Sequence, residues 1–150
     1  MTTETMESAR STPWWFWVVA VVSLLWNAFG GYDYTMSHLQ GETYYVQSGM
    51  TPAQIAMMAA YPSWMHAVWA IGVWGSVAGS LLLLLLLLRS RWALHAFALS
   101  FLGAAGSLAY TATTHGGAQA MGLIFPIVIC VICLVFAWFA WAMTKRGVLR

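Results

Sequence analysis

Leu81–Leu88 reads LLLLLLLL and is followed at once by Arg89-Ser90-Arg91. Eight consecutive leucines cover every side of a helix and leave no polar face for water. Such a segment belongs in a bilayer or in the middle of a large protein, and a chain of 150 residues has no such middle. At about −0.5 kcal/mol per central Leu, the run contributes roughly −4 kcal/mol to insertion. Arg89 and Arg91 end it, because a guanidinium strongly resists crossing. One stretch therefore sets a span, its end and its orientation.

The rest of the composition points the same way. Apolar residues make up 61% of the chain and charged residues only 7%, where a soluble domain carries about 25% charged. The chain cannot cover itself with polar surface, so it reads as an integral membrane protein whose first partner is the lipid bilayer. Its six basic residues are not gathered into a docking face, which argues against nucleic acid.

The pattern predicts an all-α fold: four antiparallel transmembrane helices with a partly helical outer loop between the first two. Residues 1–13, polar and small, are expected as a mobile cytoplasmic tail. The spans are expected at about 14–34, 63–88, 92–112 and 122–143. Ala28-Phe29-Gly30 after Arg10 and an apolar run imitates a signal-peptide cleavage site. Glu4, Glu7 and the tryptophan-rich run argue against cleavage. In the loop, Gly41 should break the first helix. Thr51-Pro52-Ala53-Gln54 should start a short one, with Thr as N-cap, Pro at N1 and Gln closing a capping box.

Each span carries a seam of small or polar residues. Ser23, Asn27, Gly30, Gly31 and Tyr34 share a face of the first, and a buried Asn should meet protein rather than lipid. Gly72, Gly75 and Gly79 mark the second, with Gly75 and Gly79 in GxxxG spacing for close backbone approach within the chain or between copies. Ser100, Gly103, Ser107 and Tyr110 follow helical spacing in the third. Gly122, Pro126, Cys130 and Cys133 lie on one face of the fourth, where Pro126 predicts a kink. The cysteines have CxxC spacing, but thiolate chemistry needs a polar, electropositive setting that this aliphatic run lacks.

Arg10, Arg89, Arg91, Lys145, Arg146 and Arg150 all fall on one side of this arrangement, so both termini are expected in the cytoplasm. The opposite side gathers Asp33, His38, His66 and His115 with several methionines. Imidazole with thioether suits copper, and imidazole with carboxylate suits zinc or iron. A bis-histidine haem at His66 and His115 is a further option. No close ligand spacing joins these residues, so the sequence assigns no metal and no cofactor. Asp33 is the expected hydrogen-bond partner of His66.

No nucleophile triad, phosphate loop or carboxylate pair is present, which argues against an enzyme. Two main readings follow. The first is a protein that acts by helix packing, as an accessory subunit or a self-associating bundle. The second is a carrier of small solutes that works as an oligomer, with Asn27, Tyr34, His66, Ser107 and Tyr110 lining its path. A third reading, a haem-, quinone- or metal-binding protein, would use the outer-side histidines and methionines, with Asp33, His66 and His115 among the candidate positions.

Trp26–Tyr34 (WNAFGGYDY), Tyr61–Ala93 (YPSWMHAVWAIGVWGSVAGSLLLLLLLLRSRWA) and the ending Lys145–Arg150 (KRGVLR) carry a resemblance. In these stretches the chain resembles a group of small four-span inner-membrane proteins of proteobacteria, mostly uncharacterised and in part labelled "sugar transporter". The resemblance implies a bacterial inner membrane and a four-helix form. It transfers no functional residue.

Overall fold

The computed structural model describes residues 12–84 and 91–149. The expected tail at residues 1–11, the last four leucines with Arg89 and Ser90, and Arg150 lie outside the described residues. Seven helices and no strands occur among the described residues: α1 (Trp14–Gln40), α2 (Glu42–Gln47), α3 (Pro52–Ala59), α4 (Ser63–Leu84), α5 (Trp92–Thr113), α6 (Gly117–Met121) and α7 (Ile124–Lys145). Helices α1, α4, α5 and α7 are long and apolar enough to cross a membrane. The protein is a polytopic membrane protein built as an all-α four-helix bundle.

Local chemistry sets the helix ends. Nothing breaks α1 until Gly41, whose φ of 56° is open to glycine and strained for other residues. At about 1.5 Å per residue its 27 residues span roughly 40 Å, beyond a hydrocarbon core of about 30 Å. Its last turns therefore extend past the hydrocarbon core. The capping box of α3 forms as its spacing predicts: the Thr51 hydroxyl accepts from Gln54 N, and Gln54 Oε1 accepts from Thr51 N. The fourth span begins later than expected. Gly122 is a turn residue with φ 71°, and α7 starts at Ile124. Pro126 falls in its first turn, where an N–H has no helical partner, so the reason for a kink disappears.

The long helices pack in sequence, α1 on α4, α4 on α5 and α5 on α7, each pair antiparallel. The start of α1 and the finish of α7 lie at one end of the bundle, called here the terminal end. There α1 also meets α7: Phe16 stacks on Phe139 at 5.7 Å and Trp15 meets the same ring edge-on at 6.0 Å. The core sits at this end, around Phe16, Leu83, Phe97, Phe136, Phe139 and Met143. The chain then turns back at Gly147 (φ 70°), and the Val148 and Leu149 amides both donate to the Met143 carbonyl. This places Val148 and Leu149 in the same core.

Glycines let α4 and α5 approach. A Cβ added at Gly103 would lie 2.5 Å from Gly72 N, and one at Gly75 would lie 3.2 Å from both Ala96 O and Ser100 N. A Cβ at Gly79 would meet the Phe97 ring at 2.9 Å. The Ser100 hydroxyl donates to the Gly72 carbonyl at this crossing, at 2.5 Å. Gly75 and Gly79 thus face α5 of their own chain.

At the opposite, loop end, the short helices cover the bundle. Helix α3 packs against α6, with Met57 beside Gly117.

Candidate functional site

Two polar features are built on the α1–α4 interface. The deeper one joins Ser23, Asn27 and Ser80, all buried. The Ser80 hydroxyl donates to the Ser76 carbonyl at 3.0 Å. Its proton is therefore committed, and Ser23 is the donor across the 2.6 Å contact with Ser80. Asn27 Nδ2 donates to Ser80 Oγ at 2.8 Å and more weakly to Ser23 Oγ at 3.4 Å. One oxygen on α4 thus collects two donors from α1.

The second feature is a row of rings at the loop end. Tyr34 packs edge-on against Trp69 (4.9 Å) and Trp74 (6.3 Å) and stacks on His38 (4.2 Å). His38 lies 5.3 Å from His66, centroid to centroid, with the ring planes at 81°. The row continues through Tyr61, 6.2 Å from His66, to Tyr110, which meets both Tyr61 and Trp64 at 5.4 Å. Gly31 faces Trp74 and Val77 with room for the contact, so the antiparallel register that pairs Ser23 with Ser80 carries on to His38 and His66.

The imidazoles are in unequal settings. His38 is exposed, and its Nδ1 lies 2.9 Å from the Tyr34 carbonyl. A carbonyl only accepts, so Nδ1 carries the hydrogen, and in the neutral ring Nε2 is a bare lone pair. His66 is half-buried, and its Nδ1 is buried with no hydrogen-bond partner. Such an atom costs about 1–3 kcal/mol when left unpaired.

Asp33 does not supply the missing partner. Its Oδ1 accepts from the Tyr44 hydroxyl of α2 at 2.9 Å. Five residues before His38, it points about 140° away around α1, and the ring beside His66 is His38 instead. Burial and the Asp33 carboxylate push the Tyr44 phenol above its usual value of 10.

The remaining candidates separate. Tyr34, His66 and Tyr110 belong to the ring row. Asn27 sits about 10 Å farther along α1 from Tyr34, in the serine cluster. The Ser107 carbonyl accepts from Thr111 within α5. His115 is exposed in the turn after α5. The glycines Gly72, Gly75, Gly79 and Gly103 form the α4–α5 contact described above. Trp69 and Ser80 carry contacts that sequence reasoning did not single out, and it named His38 only as one of the imidazoles gathered on the outer side. Once the structure pairs Asn27 with Ser80, stepping by helical turns along both helices leads to Trp69 and His38.

Among the described residues, no three His, Cys, Asp or Glu side chains gather as a metal cluster. Cys130 and Cys133 are buried free thiols, and Cys133 Sγ lies 3.6 Å from Ser100 Oγ. Between α1 and α7, a wholly apolar groove of about 260 Å³ is lined by Val22, Trp26, Ile132, Val135 and Phe136.

No protein-family model, curated protein or solved structure matches this chain.

Proposed function

We propose that this polytopic membrane protein acts by helix packing, as an accessory subunit of a larger complex in a bacterial inner membrane, with both termini in the cytoplasm. The observation that carries this reading is the open seam between α1 and α7. The two helices close on each other at Phe16 and Phe139 and leave the groove beyond. Val22 and Val135 on its walls remain more than half exposed. A transmembrane helix of a partner fits such a seam by surface packing, which drives association in lipid. The GxxxG glycines support an accessory role over self-association through that motif, because α5 already occupies them.

The carrier reading has less support. Of the side chains offered as a path, Asn27 is bonded to Ser80 across a helix interface of its own chain, about 10 Å along α1 from Tyr34 and the ring row.

Native mass spectrometry of the protein, extracted gently from its own membrane, tests the proposal. A stoichiometric complex with another membrane protein, lost in Val22→Trp, supports it. A bare monomer or homo-oligomer that Val22→Trp leaves unchanged overturns it.

A further inference from the structure

We propose that His38 and His66 together hold one transition-metal ion of the kind that imidazole favours, with Zn²⁺ as the probe. This goes beyond the packing role and does not depend on it.

Three observations meet at this pair. The first is spacing. With metal–nitrogen bonds of about 2.0–2.1 Å and roughly 1.1 Å from nitrogen to ring centre, two imidazoles on one tetrahedral ion have centroids about 5 Å apart. The observed separation is 5.3 Å. Two imidazoles on opposite sides of a haem iron would stand about 6.3 Å apart by the same geometry, so the pair favours a bare ion over haem.

The second is the tautomer. The Tyr34 carbonyl holds the hydrogen of His38 on Nδ1, which presents Nε2 as a lone pair. An imidazole N–H held by a backbone carbonyl is the usual outer-shell support of a metal-ligating histidine. The third is the unpartnered Nδ1 of His66. An ion gives that nitrogen the partner that no described residue supplies.

The ligands are therefore Nε2 of His38 and Nδ1 of His66, one from each helix of the α1–α4 pair. The remaining coordination positions fall to water or to an added ligand, since no third His, Cys, Asp or Glu joins the pair among the described residues. The position suits a site that depends on tertiary structure: α1 projects past the span to bring His38 against the first turns of α4.

Equilibrium dialysis of the purified, metal-stripped full chain against Zn²⁺, followed by elemental analysis, tests this. The wild type should retain one ion per chain. His38→Ala, at an exposed position that the fold tolerates, should weaken binding at least tenfold, and His66→Ala should do the same. His95→Ala and His115→Ala should keep the ion. Failure of the wild type to retain zinc, or full retention by His38→Ala, overturns the proposal. Because His66→Ala removes a partly buried ring, the His38→Ala result decides if that variant does not fold.

Discussion

The hydroxyl of Ser23 on α1 lies 2.6 Å from the hydroxyl of Ser80 on α4, and both side chains are fully buried. Ser80 also accepts from Asn27, so a single oxygen ties two turns of α1 to α4. In lipid no water competes for these donors, yet measured interhelical hydrogen bonds are worth only about 0.6–2 kcal/mol. The Ser80→Ala variant does more than lose one bond: it leaves a buried Asn27 amide and a buried Ser23 hydroxyl short of a partner. A loss of about 1–3 kcal/mol is expected, measured by unfolding in mixed micelles. Asn27→Ala together with Ser80→Ala should lose less than the two single variants added, because each removes the same bond.

Gly103 and Gly30 should respond oppositely to the same change. Gly103→Ala places a methyl group against the Gly72 backbone, which cannot yield without moving a helix. It should cost about 1–3 kcal/mol or more, the range of overpacking. Gly30→Ala meets nothing within 4 Å in mid-helix and should stabilise by up to about 1 kcal/mol through helix propensity. Thermal unfolding in detergent compares the two. Equal effects would show that the α4–α5 crossing is looser than described.

The end of the chain makes a separate contribution. Val148 and Leu149 reach the terminal core only because the chain turns at Gly147 with φ 70°. Gly147→Ala should cost about 1–2 kcal/mol in backbone strain. Val148→Asp should cost more, since it sets a carboxylate in the apolar cluster that holds Phe16 and Met143. Both losses are read as a lower melting temperature, and a Val148→Asp variant as stable as the wild type would remove the tail from the core.

The Tyr44–Asp33 bond gives a pH dependence at the loop end. Burial and the neighbouring carboxylate raise the Tyr44 phenol in the folded chain. The folded state then holds the phenolic proton more tightly than the unfolded state. Its contribution is complete below pH 10, the unfolded value, and is lost as pH climbs through the raised folded value. Stability to thermal unfolding should fall over that alkaline window in the wild type. Tyr44→Phe should abolish the dependence, and a profile identical to wild type would show that the bond does not hold α2.

The serine cluster and the glycine crossing show where sequence reading succeeds and where it stops. That Asn27 must meet protein was legible, because burying an unpaired amide in lipid is costly wherever it occurs. That its partner is Ser80 was not, because the choice depends on how far α4 slides and rotates against α1. The same limit applied to His66. Asp33 is the more natural chemical partner for an imidazole, but helical phase turns it toward α2 and brings His38 in its place. The GxxxG spacing announced close packing without naming the neighbour. Burial of Val148 and Leu149 had one faint signal, a glycine just past the last helix followed by two apolar residues.

The sequence by itself determined the number of spans, where the first three begin and the capping of α3. These rest on short-range costs: desolvating charge, leaving backbone groups unpaired in lipid, and closing local hydrogen bonds. Only the tertiary structure decided which seam meets which, because helix pairing follows from register and rotation summed over many residues. It is that sum that sets α5 against the glycines, Ser80 beneath Asn27 and His38 beside His66.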